Sequence, residues 1–210
     1  TGNPCLIRDA QGQTLVGIVD LDEAEWAILT PTLRRDFVLH EMVHVLGFVP
    51  NLLNLTLPSG YSRRCLELPS TGAPNVLIQD THFSCEFGRA AFDESQGAVY
   101  VGARVPLENG ATRPLGAGTL NHHWRKTVFG AELMTGWFSS GGVSPFSRVT
   151  LGMLEDLGYG VVSVLADDWS VTNPGPMQAI SPTLRHIQLV EPPSLHAPTV
   201  YRKSRAPRRP

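Results

Sequence analysis

Phe37-Val38-Leu39-His40-Glu41-Met42-Val43-His44-Val45-Leu46-Gly47-Phe48 is the stretch on which the reading of this chain turns. It holds the pattern H-E-x-x-H. At roughly 3.6 residues per turn of α-helix, His40 and His44 return to one face of the same helix. Two imidazoles spaced that way can offer ring nitrogens to one zinc ion, at about 2.0–2.1 Å. Glu41 then falls beside the metal without having to ligate it, where a general base for an activated water belongs. The plain alternative is an amphipathic core helix that carries two histidines by chance. What surrounds the motif argues against it.

The flanks supply a start and a stop. Thr30-Pro31 offers a cap and a first helical residue, and Gly47 is placed to end the helix. Leu33, Phe37, Val38, Met42 and Val45 give apolar spacing for burial. The two histidines therefore sit near the C-terminal end, where the chain can turn sharply beneath a metal. Ahead of the helix, the run from Gln13 to Asp22 reads as a short strand over 14–20, after a turn at Gln11-Gly12. Asp20, Asp22, Glu23 and Glu25 cluster behind it and read as a solvated loop in preference to a cation site.

With 210 residues, 42% of them hydrophobic and 17% charged, the chain is long enough to bury a substantial core. No apolar run approaches the roughly 18 residues of a membrane span, and no signal peptide is visible. The opening Thr1-Gly2-Asn3-Pro4-Cys5 reads as the start of a fragment or a processed form. Cys5, Cys65 and Cys85 are too scattered for a C-x-x-C metal site; one disulfide with one free thiol, or three buried thiols, are both open. The net charge is -2, yet Arg202, Lys203, Arg205, Arg208 and Arg209 crowd the last ten residues with no acid among them. The remainder is acidic, at about -7, which argues against nucleic acid as its main partner.

Residues 49–118 are broken by Pro50, Pro58, Pro69, Pro74, Pro106 and Pro114 and by many glycines. A structureless loop of that length is improbable, so the segment reads as an insertion with structure of its own. A helix is expected around 87–95 and a strand over 99–105. Then Gly118-Thr119-Leu120-Asn121-His122-His123-Trp124 forms a compact turn bearing two adjacent histidines, and Glu132-Leu133-Met134-Thr135-Gly136 a tight turn around a methionine. A helix over 144–157 follows, opened by Ser144-Pro145, packed by Phe146, Val149, Leu151, Leu154 and Leu157, and ended by Gly158. The stretch 163–210 reads as a Pro-rich extension, disordered from about Pro192.

A catalytic zinc takes three protein ligands and keeps one position open. Thermolysin-like enzymes draw the third from a Glu on a later helix, here Glu67 or Glu86. Metzincins place a glycine three residues after the second histidine, take a further His or Asp, and set a methionine turn beneath the metal. Gly47 and Met134 favour the metzincin arrangement. The compact form needs a His where Pro50 stands, so the third ligand must come from beyond the insertion. His82, His122, His123, His186 and His196 are the candidates. The last two lie in the tail, and His82 lies within the insertion. His123, shortly before the Met134 turn, is best placed, with its neighbour His122 a close rival.

Taken in order, residues 40–48, Pro106-Leu107-Glu108-Asn109, His123-Trp124, Glu132-Leu133-Met134-Thr135-Gly136 and residues 147–159 resemble the leishmanolysin-type metzincin peptidases, bacterial members above all. The resemblance covers most of residues 5–162. That family also carries a long insertion after the glycine and a third histidine directly before Trp. The resemblance implies an α+β metzincin-like fold with His40, His44 and His123 as ligands to one Zn²⁺, Glu41 as catalytic base and Met134 as a floor beneath the ligands. It implies a catalytic domain over 1–162: a partial upper part at 1–48, the insertion at 49–118 and a lower part at 119–162. Two departures stand out. His122 occupies a position that is usually Ser, and only 39 residues precede His40, so the N-terminal sheet is expected to be incomplete.

The function expected is zinc-dependent endopeptidase chemistry on polypeptide substrates, in an extracellular or cell-envelope setting by analogy with the family. The rival from another class is a non-catalytic, zinc-stabilised binding module with a truncated cleft. Trp124 and Trp137 read as core or cleft wall.

Overall fold

The computed structural model of the chain describes residues 2–7, 11–67, 81–97, 104–109, 120–137 and 143–171. The strand expected over 99–105, except its end, and His186, His196 and the tail beyond 171 lie outside these residues. What is described is mixed α+β with small sheets, in agreement with the class expected.

The N-terminal part is a hairpin laid against one long helix. Strand β1 (Gly2–Ile7) pairs antiparallel with β2 (Thr14–Val19), with Gly2 opposite Val19 and Ile7 opposite Thr14. The second strand matches the sequence expectation. The first was not anticipated, because Pro4 interrupts any reading of a regular strand; the pairing accommodates it with an irregular register next to Pro4. A short helix α1 (Glu23–Ile28) then occupies part of the stretch expected as a loop; Asp20, Asp22 and Glu23 are exposed.

Helix α2 (Pro31–Leu46) follows the expectation at both ends. The Thr30 hydroxyl accepts from the Leu33 N–H at 3.3 Å, and Pro31 takes the first turn, where its missing N–H costs nothing. Gly47 closes the helix at φ 128°, a conformation that strains any residue with a Cβ, and Phe48 N–H reaches back to Val43 O at 3.2 Å. Leu33 and Phe37 pack with Leu29 and Trp26, while His40, Glu41, Val43 and His44 are buried further along. Met42 is not a packing residue as expected. It lies on the outer face, 48% exposed.

Beyond Gly47 the insertion does have structure of its own. Helix α3 (Pro50–Leu53) leads into β3 (Asn54–Thr56), which pairs with β4 (Ser62–Arg64). A three-stranded antiparallel sheet then forms from β5 (Leu66–Glu67), β6 (His82–Phe83) and β7 (Val105–Pro106). A disulfide joins Cys65 to Cys85 at the start of helix α4 (Glu86–Glu94). That bond decides between the two cysteine readings left open.

Helix α5 (Lys126–Phe129) is a single turn after Trp124, and α6 (Arg148–Asp156) packs against α4. The Asp156 carboxylate caps α4 by accepting from the Phe87 and Gly88 N–H groups at 3.1 and 2.8 Å. Helix α6 starts later than expected. Its cap is Ser147, whose hydroxyl accepts from Thr150 N–H, because residues 144–146 are committed elsewhere. Ser144 N–H donates to Asp36, Phe146 N–H donates to Asp167, and Pro145 O accepts from Leu133 N–H. This run therefore lies along the methionine turn and not within a helix.

The main core gathers Phe48, Phe83, Phe92, Trp124, Phe129, Met134 and Met153. Phe129 stacks on Trp124, Phe92 and Trp169 with centroids 5.2, 5.5 and 5.0 Å apart. Trp169 and Val171 belong to this core, so packing runs past the boundary expected at 162. Two clasps hold the layers together. The buried Arg63 guanidinium donates to Leu52 O, Gln11 O and Leu157 O, and the Tyr159 hydroxyl bridges Leu46 O and Thr14 N–H.

Candidate metal centre

Helical spacing sets His40 above His44, and the turn at Gly47 orients the second ring. After that turn Phe48 O lies 2.9 Å from His44 Nδ1. The partner of His40 comes from far along the chain: Leu133 O, in the methionine turn, lies 2.7 Å from His40 Nδ1. A carbonyl can only accept, so each Nδ1 carries a proton and each Nε2 presents a lone pair.

His123 is delivered by backbone pairing. Its carbonyl accepts from Glu108 N–H at 2.8 Å, and Trp124 N–H donates to Met134 O at 2.9 Å. Trp124 bridges antiparallel to Leu107 and parallel to Thr135, so the residue beside the ligand is held between the insertion and the methionine turn. The indole is fully buried against Phe48, Phe83 and Phe129, and its N–H donates to Thr150 Oγ1 at 2.8 Å. Trp124 is thus a core residue that anchors the ligand before it.

These constraints bring three Nε2 atoms together. His40 to His44 is 2.9 Å, His40 to His123 is 3.1 Å and His44 to His123 is 3.2 Å. All three rings are at most 4% exposed. Burial holds His40 well below the usual imidazole range, helped by the charge of His44, and burial brings His44 down to about 4. The lone pairs of neutral His40 and His44 that face one another repel unless a cation sits between them. A tetrahedral ion with nitrogen ligands at about 2.0–2.1 Å sets those nitrogens roughly 3.3 Å apart, close to the spacing seen. The group His40, His44 and His123 could therefore bind a metal ion.

Glu41 is 1% exposed, and burial raises its pKa. A hydrogen bond from the Gly2 backbone opposes that shift. The start of β1 lies so close over this turn that a Cβ on Gly2 would fall 2.0 Å from Glu41 O. Met134 is fully buried in the turn that carries Leu133.

The other candidates lie apart. His122 is half-buried, and burial, with the charge of His44, brings it down to about 3; its ring is not one of the three that converge. His82 is buried in β6 opposite Pro106 and Glu67. Glu67 and Glu86, the ligands a thermolysin-like site would need, are exposed and outside the group. Sequence reading missed the carbonyls that orient two of the histidines, Leu133 O and Phe48 O, and the buried Glu132 carboxylate beneath the turn. A carbonyl leaves no trace in residue type. Glu132, an acid within an otherwise apolar turn, was the one visible sign.

No protein-family model, curated protein or solved structure matches this chain.

Proposed function

We propose that this chain is a zinc-dependent endopeptidase of the leishmanolysin-like metzincin type. The observation that carries the reading is the convergence of three buried Nε2 atoms within 3.2 Å, with Glu41 buried in the same helical turn. An all-nitrogen, three-histidine donor set suits zinc, and uncharged ligands leave the ion its full +2 charge. Zinc bound there would supply Lewis-acid polarisation of a peptide carbonyl and of the attacking water. Glu41 takes the proton from that water and returns it to the departing amine. Burial raises its pKa, which makes it a stronger base than an exposed carboxylate. Leu133 O and Phe48 O hold His40 and His44 in the ligating tautomer. The Cys65–Cys85 bond supports an oxidising compartment, hence an extracellular or cell-envelope setting. Among the described residues no helix is long and apolar enough to cross a membrane.

One observation favours a non-catalytic, zinc-stabilised module: the Gly2 backbone engages the Glu41 carboxylate, and a two-stranded hairpin covers this side of α2. Metal analysis of the purified protein and cleavage of a quenched peptide, with and without chelator, separate the two. Chelator-sensitive cleavage that Glu41→Ala abolishes supports the peptidase. One bound zinc without cleavage of any peptide in a broad library supports the module.

A further inference from the structure

We propose that Glu132 is a positioning residue that ties together two metal ligands from distant parts of the chain, His40 and His123, and thereby sets the affinity of the centre. The proposal rests on the metal-binding reading above and adds to it the device that keeps the ligands in register. Glu132 is 1% exposed, a carboxylate sunk beneath the methionine turn. Its Oε2 accepts from Met134 N–H at 2.5 Å. Its Oε1 accepts from the Ser147 hydroxyl at 2.8 Å, the Ser147 N–H at 3.3 Å and the Thr150 hydroxyl at 2.5 Å.

Two paths lead from this carboxylate to the ligands. The first runs through one peptide group. Met134 N–H and Leu133 C=O belong to the same planar trans unit and point in opposite directions. Glu132 holds the N–H end, and His40 Nδ1 is held by the C=O end at 2.7 Å. Rotation of that peptide would break both bonds together. The second path runs through Thr150. Its hydroxyl gives its single proton to Glu132, so it accepts from the Trp124 indole N–H, and Trp124 directly follows His123. The Met134 carbonyl closes the circuit by accepting from Trp124 N–H at 2.9 Å. One buried carboxylate thus organises the acceptor behind His40 and the anchor beside His123. A neutral amide does not replace it: Gln at this position turns a donor toward either the Met134 N–H or the Ser147 N–H, neither of which can accept.

The test is metal affinity, measured by titrating Co²⁺ and Zn²⁺ into chelator-stripped protein against a competing indicator. Glu132→Gln and Thr150→Val are compared with the parent and with Arg63→Ala, which removes a buried clasp whose carbonyl partners are Leu52, Gln11 and Leu157 and none of this network. Affinity should fall about 10- to 100-fold in Glu132→Gln, the range for lost outer-shell partners. It should fall several-fold in Thr150→Val and stay within about twofold in Arg63→Ala. Parent-like affinity in Glu132→Gln, or losses no larger than in an equally destabilised Arg63→Ala, overturns the proposal. Should Glu132→Gln fail to fold, parent-like affinity in Thr150→Val overturns it alone. A parent protein that takes up no metal is a different result, and it sinks the metal reading itself.

Discussion

His122 and His123 differ by one position and by everything that their surroundings do to them. Pairing of the His123 carbonyl with Glu108 and burial of Trp124 aim one imidazole at His40 and His44. His122 stays outside the group. Replacing His123 by Ala should abolish stoichiometric metal uptake, whereas His122→Ala should keep one ion per chain; metal analysis after dialysis reads both. Glu41→Ala should retain the metal and lose at least about 100-fold in peptide cleavage, the usual worth of a general base. The three histidines that converge were legible in the sequence because a candidate metal ligand is recognised by its side-chain type. Their orientation was not. Leu133 and Phe48 act through carbonyls, which every residue possesses, and only the folded path of the chain places them.

At the scale of elements, the ends of α2 were legible because capping is local chemistry: Thr30, Pro31 and Gly47 act within a turn of themselves. The start of α6 was misjudged for the opposite reason. Ser144-Pro145 has the form of a helix start, but Asp36 and Leu133 claim its backbone across the fold. The clasps between elements were equally hidden. The buried Arg63 guanidinium donates to three carbonyls, so Arg63→Ala should cost about 2–4 kcal/mol in chemical denaturation. Arg63→Lys should recover only part, since an ammonium cannot span the same fork. Reducing the Cys65–Cys85 bond, which spans 20 positions, should lower stability by about 3 kcal/mol, read as a drop in denaturation midpoint under reductant.

For the molecule as a whole, buried ionisable groups write themselves into the pH dependence of stability. Burial raises the Glu132 pKa to about 7, against hydrogen bonds that pull it down. A carboxyl with a raised folded value contributes its full stability below the ordinary 4.5 and loses it as pH rises through about 7. The stability difference between parent and Glu132→Gln, both metal-free, should therefore shift against the parent by on the order of 3 kcal/mol between about pH 4.5 and 8. A flat difference would show that folding leaves the Glu132 pKa at its unfolded value. Added zinc should raise the denaturation midpoint of the parent at all these pH values, since only the folded chain gathers the three histidines.

The hydrogen bond between His40 and the Leu133 carbonyl spans 93 positions of the chain. That span carries a timetable. On a ribosome, His40 and His44 emerge early and close together, and alone they make a two-point grip with freely turning rings. His123, the carbonyl that steadies His40 and the Thr150 hydroxyl that steadies Trp124 arrive about a hundred residues later. Convergence of the three histidines, and with it any tight metal capture, is therefore a late event in the life of the nascent chain. If the centre cleaves peptides, as proposed above, assembly in that order would leave it unarmed while its own unfolded segments are still within reach.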